Sequence, residues 1–162
     1  MFRACLVVSI LTLATVCSAQ QSDASSTASC NLEDGRQVYI RYNPVTAKNE
    51  KLANGKPWTP GGAPMTLFTE AQLTLAGSTI PVGAYTVYPI PGRDKWSVVV
   101  NKNVTAGAAY DEKQDLARAT METDQVSQPS DALEVAFAHV GSRCTLRIYF
   151  GKAASFADFI AK

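Results

Sequence analysis

Apolar and polar residues along this chain alternate with a period of two in short runs, and Gly, Pro, Asn and Asp separate the runs. Such alternation puts successive side chains on opposite faces of a β-strand. Val38, Ile40 and Tyr42 fall on one face of a strand, with Tyr39 and Arg41 on the other. Glu33-Asp34-Gly35-Arg36 ahead of it is predicted to be a hairpin turn, because Asp-Gly tolerates positive φ, and it pairs Cys30–Leu32 with that strand. Asn43–Pro64 breaks the pattern with a long irregular stretch rich in Gly and Pro. The β pattern resumes over Met65–Thr69 and Gln72–Leu75, turns at Ala76–Ser78, and returns over Thr79–Tyr88. Pro81 and Gly83 predict that this last segment begins as an edge or bulge and becomes regular near Ala84.

After a turn at Pro91–Lys95, Trp96–Asn101 carries three consecutive valines, the pattern of a strand buried on both faces. Asp111–Asp115 is predicted to form a single helical turn and Arg118–Gln125 a polar strand. Ala132–Val140 and Arg143–Phe150 are the cleanest strands, joined at Gly141-Ser142, and Phe156–Ile160 adds a short last one. Eight or nine strands with almost no helix predict an all-β fold, an antiparallel β-sandwich or jelly-roll-like relative. Strand order is not readable from the pattern.

The N-terminus follows a different rule. Arg3 precedes an apolar run from Ala4 to about Val16, and the small residues Cys17-Ser18-Ala19 stand ahead of Gln20. This is the layout of a secretory signal peptide over residues 1–19, too short to cross a bilayer comfortably. Residues 20–29, rich in Ser, Ala, Thr and Gln, are expected to be a flexible leader, and residues 30–162 a single domain. The expected location is secreted or periplasmic, with no transmembrane segment once the signal is removed. Cys17 is a position for lipid attachment, but Val16 before it is branched where lipoprotein signals prefer a small residue.

Export changes the meaning of the cysteines. Only Cys30 and Cys144 remain after the signal, and in an oxidising compartment such a pair reads as one disulfide, the alternative being two buried thiols. A bridge closing about 100 residues contributes on the order of 4 to 5 kcal/mol in the chain-entropy picture. Charge excludes some partners. Of the 15 basic residues only Arg3 is lost with the signal, so basic and acidic residues balance at 14 each. A chain without a basic block lacks the footprint for nucleic acid or an anionic membrane.

Recognisable catalytic sets are missing. The single histidine, His139, follows Leu133, Val135 and Phe137 in steps of two, which places it on the apolar face of its strand. No Gly-x-Ser-x-Gly elbow is present, and one His beside a cysteine pair makes a poor metal site. Asp111, Glu112 and Asp115 cluster without the glycine-punctuated spacing of a calcium loop, so they read as a solvated acidic turn. No cofactor or metal is expected. Asn103-Val104-Thr105 is a glycosylation sequon, relevant only in a host that modifies such sites.

Trp58 is the candidate for ligand contact. It lies among Pro and Gly with no periodic face, where a rigid aromatic can stack on a sugar ring or fold back to cap the sandwich. Tyr85 and Tyr88 carry the same ambiguity on their strand, whereas Trp96 alternates with Val98 and Val100 and belongs to the core.

The segment Gly77-Ser-Thr-Ile-Pro-Val-Gly-Ala-Tyr-Thr-Val-Tyr-Pro-Ile-Pro91, followed by Asp94-Lys-Trp-Ser-Val-Val-Val-Asn-Lys102, resembles the bacterial domain-of-unknown-function family numbered 2911. Trp58 with Gly61 and Gly62 ahead of Met65–Thr69, and Asp115-Leu-Ala-Arg118, extend the resemblance to roughly Val38–Phe150. Many members follow the tryptophan with Arg-x-Gly-Ala-Asn, whereas this chain has Thr-Pro-Gly-Gly-Ala-Pro64. The resemblance implies export and a β-rich fold and carries no settled activity. The expectation is therefore a non-catalytic exported β-sandwich that binds a glycan or cell-envelope component through Trp58, Tyr85 and Tyr88. The alternatives are an envelope assembly protein and an enzyme without a recognisable motif. Oligomeric state is left open.

Overall fold

The computed structural model describes residues 25–162, so the expected signal segment, Cys17 and the first residues of the expected leader lie outside the described residues. The chain forms the all-β antiparallel fold that its alternation predicts. Its strands are β1 (Ser26–Asn31), β2 (Gln37–Tyr42), β3 (Met65–Thr69), β4 (Leu73–Leu75), β5 (Ser78–Ile80), β6 (Gly83–Ile90), β7 (Ser97–Asn101), β8 (Asp115–Thr120), β9 (Glu122–Val140) and β10 (Arg143–Ala161). One sheet has six strands in the order β1-β2-β3-β6-β7-β8, and the other has four in the order β5-β4-β10-β9. Helical structure among the described residues is two 3-10 turns, Pro60–Gly62 and Glu112–Gln114. No helix among them is long and apolar enough to cross a membrane.

The inward positions of both sheets meet in one core. Val38 and Ile40 of β2, Leu67 of β3, Val87 of β6, and Val98 and Val100 of β7 face Leu73, Leu75, Leu146, Ile148 and Phe159 of the second sheet. Val98, Val99 and Val100 are all fully buried, as three successive valines require of a doubly covered strand. Cys30 of β1 and Cys144 of β10 form a disulfide that ties one sheet to the other.

Three differences from the alternation reading have physical causes. β1 begins at Ser26, inside the stretch expected to be leader over 20–29, because backbone pairing from Ser26↔Tyr42 to Asn31↔Gln37 needs no large side chain. Its small inward residues, Ala28 and Cys30, are buried. The run Thr79–Tyr88 is two strands in different sheets rather than one. Pro81 lacks the amide for a ladder, Val82 stands 61% exposed, and the chain changes sheet across them. The run Arg118–Gln125 likewise divides at Met121, whose amide bonds to the Trp96 carbonyl (2.8 Å) as the chain passes from β8 into β9.

β10 holds the shape that matters most for function. Its 19 residues would span about 60 Å if straight. Instead the Ala161 amide donates to the Ser142 carbonyl (2.8 Å), and the Thr145 hydroxyl donates to Asp158 (2.6 Å). The strand therefore doubles back at Gly151-Lys152, where Gly151 supplies the left-handed φ of +57°. This is why two separate strands, Arg143–Phe150 and Phe156–Ile160, were legible in the sequence. β9 flanks the doubled strand on both sides. Its residues from Ser130 to Val140 pair with the first arm, and Glu122–Gln125 pair with the second. Residues 126–129 cross the tip between them, and Pro129 sits there without breaking a ladder.

Candidate ligand-binding cleft

The irregular stretch Asn43–Pro64 is strapped down by backbone bonds. Leu133 donates to Val45 (2.7 Å), Ala47 to Asp131 (2.8 Å), Gly55 to Pro91 (2.7 Å) and Trp58 to Pro89 (2.8 Å). The Glu50 carboxylate then accepts from the Trp58 indole Nε1 (2.9 Å) and from the Gly61 amide (3.1 Å). Gly61 has φ of +62°, and an added Cβ would sit 3.1 Å from Val45 Cγ1, so a side chain here would strain the turn after Trp58.

These straps turn Trp58 inward as a cap, one of the two positions its loop had left open, rather than outward as a stacking platform. Its side chain is only 6% exposed and packs against Phe150, with ring centroids 4.7 Å apart, and edge-on against Trp96 at 6.1 Å. The alternative reading, an indole folded back as a cap, describes its position. Tyr85 is 9% exposed and faces the core. Its hydroxyl donates to the Pro81 carbonyl (3.0 Å), and burial pushes the phenol above its ordinary pKa. Tyr88, three residues along the same strand, points to the opposite face and lies beneath Tyr110 with ring centroids 5.0 Å apart. Trp58, Tyr85 and Tyr88 do not converge on one surface, because a separation of three on a strand places side chains on opposite faces.

A cleft lies instead at the end of the sandwich where Trp58 is buried. It encloses about 290 Å³ and is lined by Trp96 and Phe150 at its floor and by Asn54, Gln125 and charged residues at its rim. Three walls meet there: the strapped loop at Leu52 and Asn54, the β6–β7 turn from Pro91 to Asp94, and the tip of β10 with Thr123–Gln125 of β9. Charges come from Arg93 and Asp94 on the turn, Asp124 on β9 and Lys152 at the β10 reversal, all exposed. Trp58 stands behind this floor and braces it. The sequence had marked Pro91–Lys95 only as a turn, and no local pattern links it to Asp124 or Lys152. Those residues meet only because β10 doubles back and β9 crosses its tip.

A second hollow of about 270 Å³ lies near the β1–β2 turn, the β9–β10 turn and Lys162. Two of its charges already pair within the protein. Arg36 pairs with Asp34 (2.6 Å) and donates to the Lys162 carbonyl (3.3 Å). The Arg36 hydrogen bonds hold the Asp34 carboxyl below the usual range.

The remaining chemical candidates are committed elsewhere. His139 sits on the face its spacing predicted, but β9 runs past the edge of the core there, so the ring is exposed and donates to the Gly141 carbonyl (2.6 Å). In the acidic turn, Asp111 caps the 3-10 turn by accepting from the Lys113 amide (3.0 Å). Asp115 accepts from buried Asn101 (2.8 Å), from the Tyr110 hydroxyl (2.7 Å) and from Arg118 (2.9 Å). Burial, reinforced by the bond to Asp115, pushes the Tyr110 phenol up to about 12. This network pins the loop between β7 and β8 over the outer face of the six-stranded sheet. No group of three or more His, Cys, Asp or Glu side chains among the described residues is placed to hold a metal.

A family model described as "Protein of unknown function (DUF2911)" matches residues 23–155. No curated protein and no solved structure matches the chain.

Proposed function

This chain belongs to the DUF2911 family, and we propose that it is an exported, non-catalytic protein that binds a saccharide of the cell envelope in the cleft floored by Trp96 and Phe150. The observation that carries this reading is a concave site with an aromatic floor and a polar rim that, among the described residues, takes part in no ion pair. Sugar rings present one apolar C–H face and a girdle of hydroxyls. An aromatic floor serves the first, and planar polar groups such as Asn54, Asp124 and Gln125 serve the second. Export is supported by the signal-like pattern of residues 1–19 and by a disulfide, a bond that persists in oxidising compartments.

The test is titration of the purified protein with envelope-derived oligosaccharides, read by intrinsic tryptophan fluorescence and calorimetry. Saturable binding by one class of saccharide is expected, weakened at least tenfold in Asp124→Ala and Gln125→Ala while the melting temperature holds. Wild-type protein that binds none of them, or variants that bind as well as wild type, would remove the reading.

A further inference from the structure

We infer, on the basis of the saccharide reading above, that the ligand is an acidic saccharide of the uronate class, whose carboxylate is held between Arg93 and Lys152. Both cations line the cleft, and they reach it from different elements, the β6–β7 turn and the tip of β10. Of the five other arginines among the described residues, Arg36, Arg118 and Arg143 each lie within 4 Å of a carboxylate, while Arg41 and Arg147 do not and lie outside the cleft. Arg93 and Lys152 lie within that distance of none among the described residues, although Asp94 and Asp124 line the same cleft. The rim thus holds two cations that its own acids leave unpaired beside an apolar floor. An arriving carboxylate meets a planar guanidinium fork on one side and an ammonium point charge on the other.

The turns that carry the two cations are set in shape before any ligand arrives. A Cβ at Gly92 would fall 2.1 Å from the Lys95 carbonyl oxygen, so the turn that presents Arg93 is closed on itself. Lys152 follows Gly151, whose φ of +57° fixes the reversal of β10. Cations mounted on tight turns lose less freedom on binding than cations on open loops.

Asp94 and Asp124 restrict the class further. A ring bearing several anionic groups would bring negative charge to both carboxylates as well as to both cations, and like charges in one cleft repel. A ligand with one negative charge per ring and several hydroxyls satisfies all four groups, because the hydroxyls donate to the carboxylates while the single anion meets the cations. A uronate has that composition.

The deciding experiment compares oligomers of glucuronate, galacturonate and mannuronate with their methyl esters, which keep ring and hydroxyls but lose the charge. Wild type, Arg93→Gln and Lys152→Gln are titrated by calorimetry, with melting temperatures recorded; both side chains are exposed, so the fold is expected to hold. At least one acid should bind tenfold or more tightly than its own ester, and the gap should shrink as salt rises from 20 to 500 mM, about the range over which exposed charges become screened. Each variant should erase most of that gap, weakening acid binding by a larger factor than ester binding. Equal binding of acid and ester by wild type overturns the inference and leaves the saccharide reading standing. A gap that survives in both variants overturns the assignment to Arg93 and Lys152. Failure to bind acids, esters and neutral glucans alike overturns both readings together.

Discussion

The Trp58 ring lies 4.7 Å from that of Phe150, centroid to centroid, with the planes inclined by 51°. Phe150 is the last residue before β10 reverses, so this contact joins the strapped loop to the tip of the doubled strand. Truncating Trp58 to Ala should therefore cost about 3 to 5 kcal/mol in chemical denaturation, the usual range for a large aromatic removed from a core. Trp58→Phe should cost less, on the order of 1 to 2 kcal/mol, chiefly through the lost bond to Glu50. Iodide quenching should leave Trp58 emission largely shielded. Efficient quenching in a Trp96→Phe background, where Trp58 is the sole emitter, would contradict the packing described here.

The disulfide between Cys30 and Cys144 closes 114 residues of sequence separation and joins the two sheets at buried positions. In the chain-entropy picture its removal should cost about 4 to 5 kcal/mol. Urea denaturation of Cys30→Ala/Cys144→Ala, compared with wild type under oxidising conditions, measures this. A midpoint unchanged between the two would mean that packing alone sets the sheet-to-sheet register.

Much of the fold was readable because β-strands announce themselves by alternation. Val38–Tyr42, Met65–Thr69 and the triple valine of β7 behave as their patterns require, and the hairpin turn at Asp34-Gly35 pairs β1 with β2. Alternation reports which residues share a face but not which sheet owns the strand. That is why the sheet change at Pro81-Val82 and the one at Met121 were invisible. Trp58 was legible as unusual but not as buried, since its burial depends on Glu50 and on backbone partners at Pro89 and Pro91. The cleft was the least legible feature. Arg93, Asp124 and Lys152 are separated by a whole sheet's worth of sequence, and only the reversal at Gly151 gathers them.

Tyr110 gives the fold a dependence on alkaline pH. Its phenol titrates at about 12 in the folded protein, above the ordinary value of 10.0, so the folded state holds the proton more tightly than the unfolded chain. That contribution is fully present below pH 10 and is lost as pH rises towards 12. Stability measured in urea should thus fall between those values, and Tyr110→Phe should show a shallower fall over the same window. An identical slope in the variant would assign the alkaline loss to other groups.

Gly92 links stability to the cleft. An added methyl at this position would approach the Lys95 carbonyl oxygen to 2.1 Å, a distance that backbone atoms do not accept, so the turn must open to admit it. Opening displaces Arg93 next in sequence and loosens the anchor between Gly55 and the Pro91 carbonyl, the bond that holds the loop against this turn. Gly92→Ala should therefore destabilise the protein by roughly 1 to 3 kcal/mol, the range for a backbone forced out of its native shape. It should also weaken saccharide binding more than Arg93→Gln does, because it moves two walls of the cleft rather than one charge. Gly35→Ala serves as the control: Gly35 has φ of +86° in the distant β1–β2 turn, so that variant should lose stability while its binding constant stays at the wild-type value. If the two glycine variants weakened binding equally, general destabilisation rather than the shape of the Pro91–Lys95 turn would account for the effect.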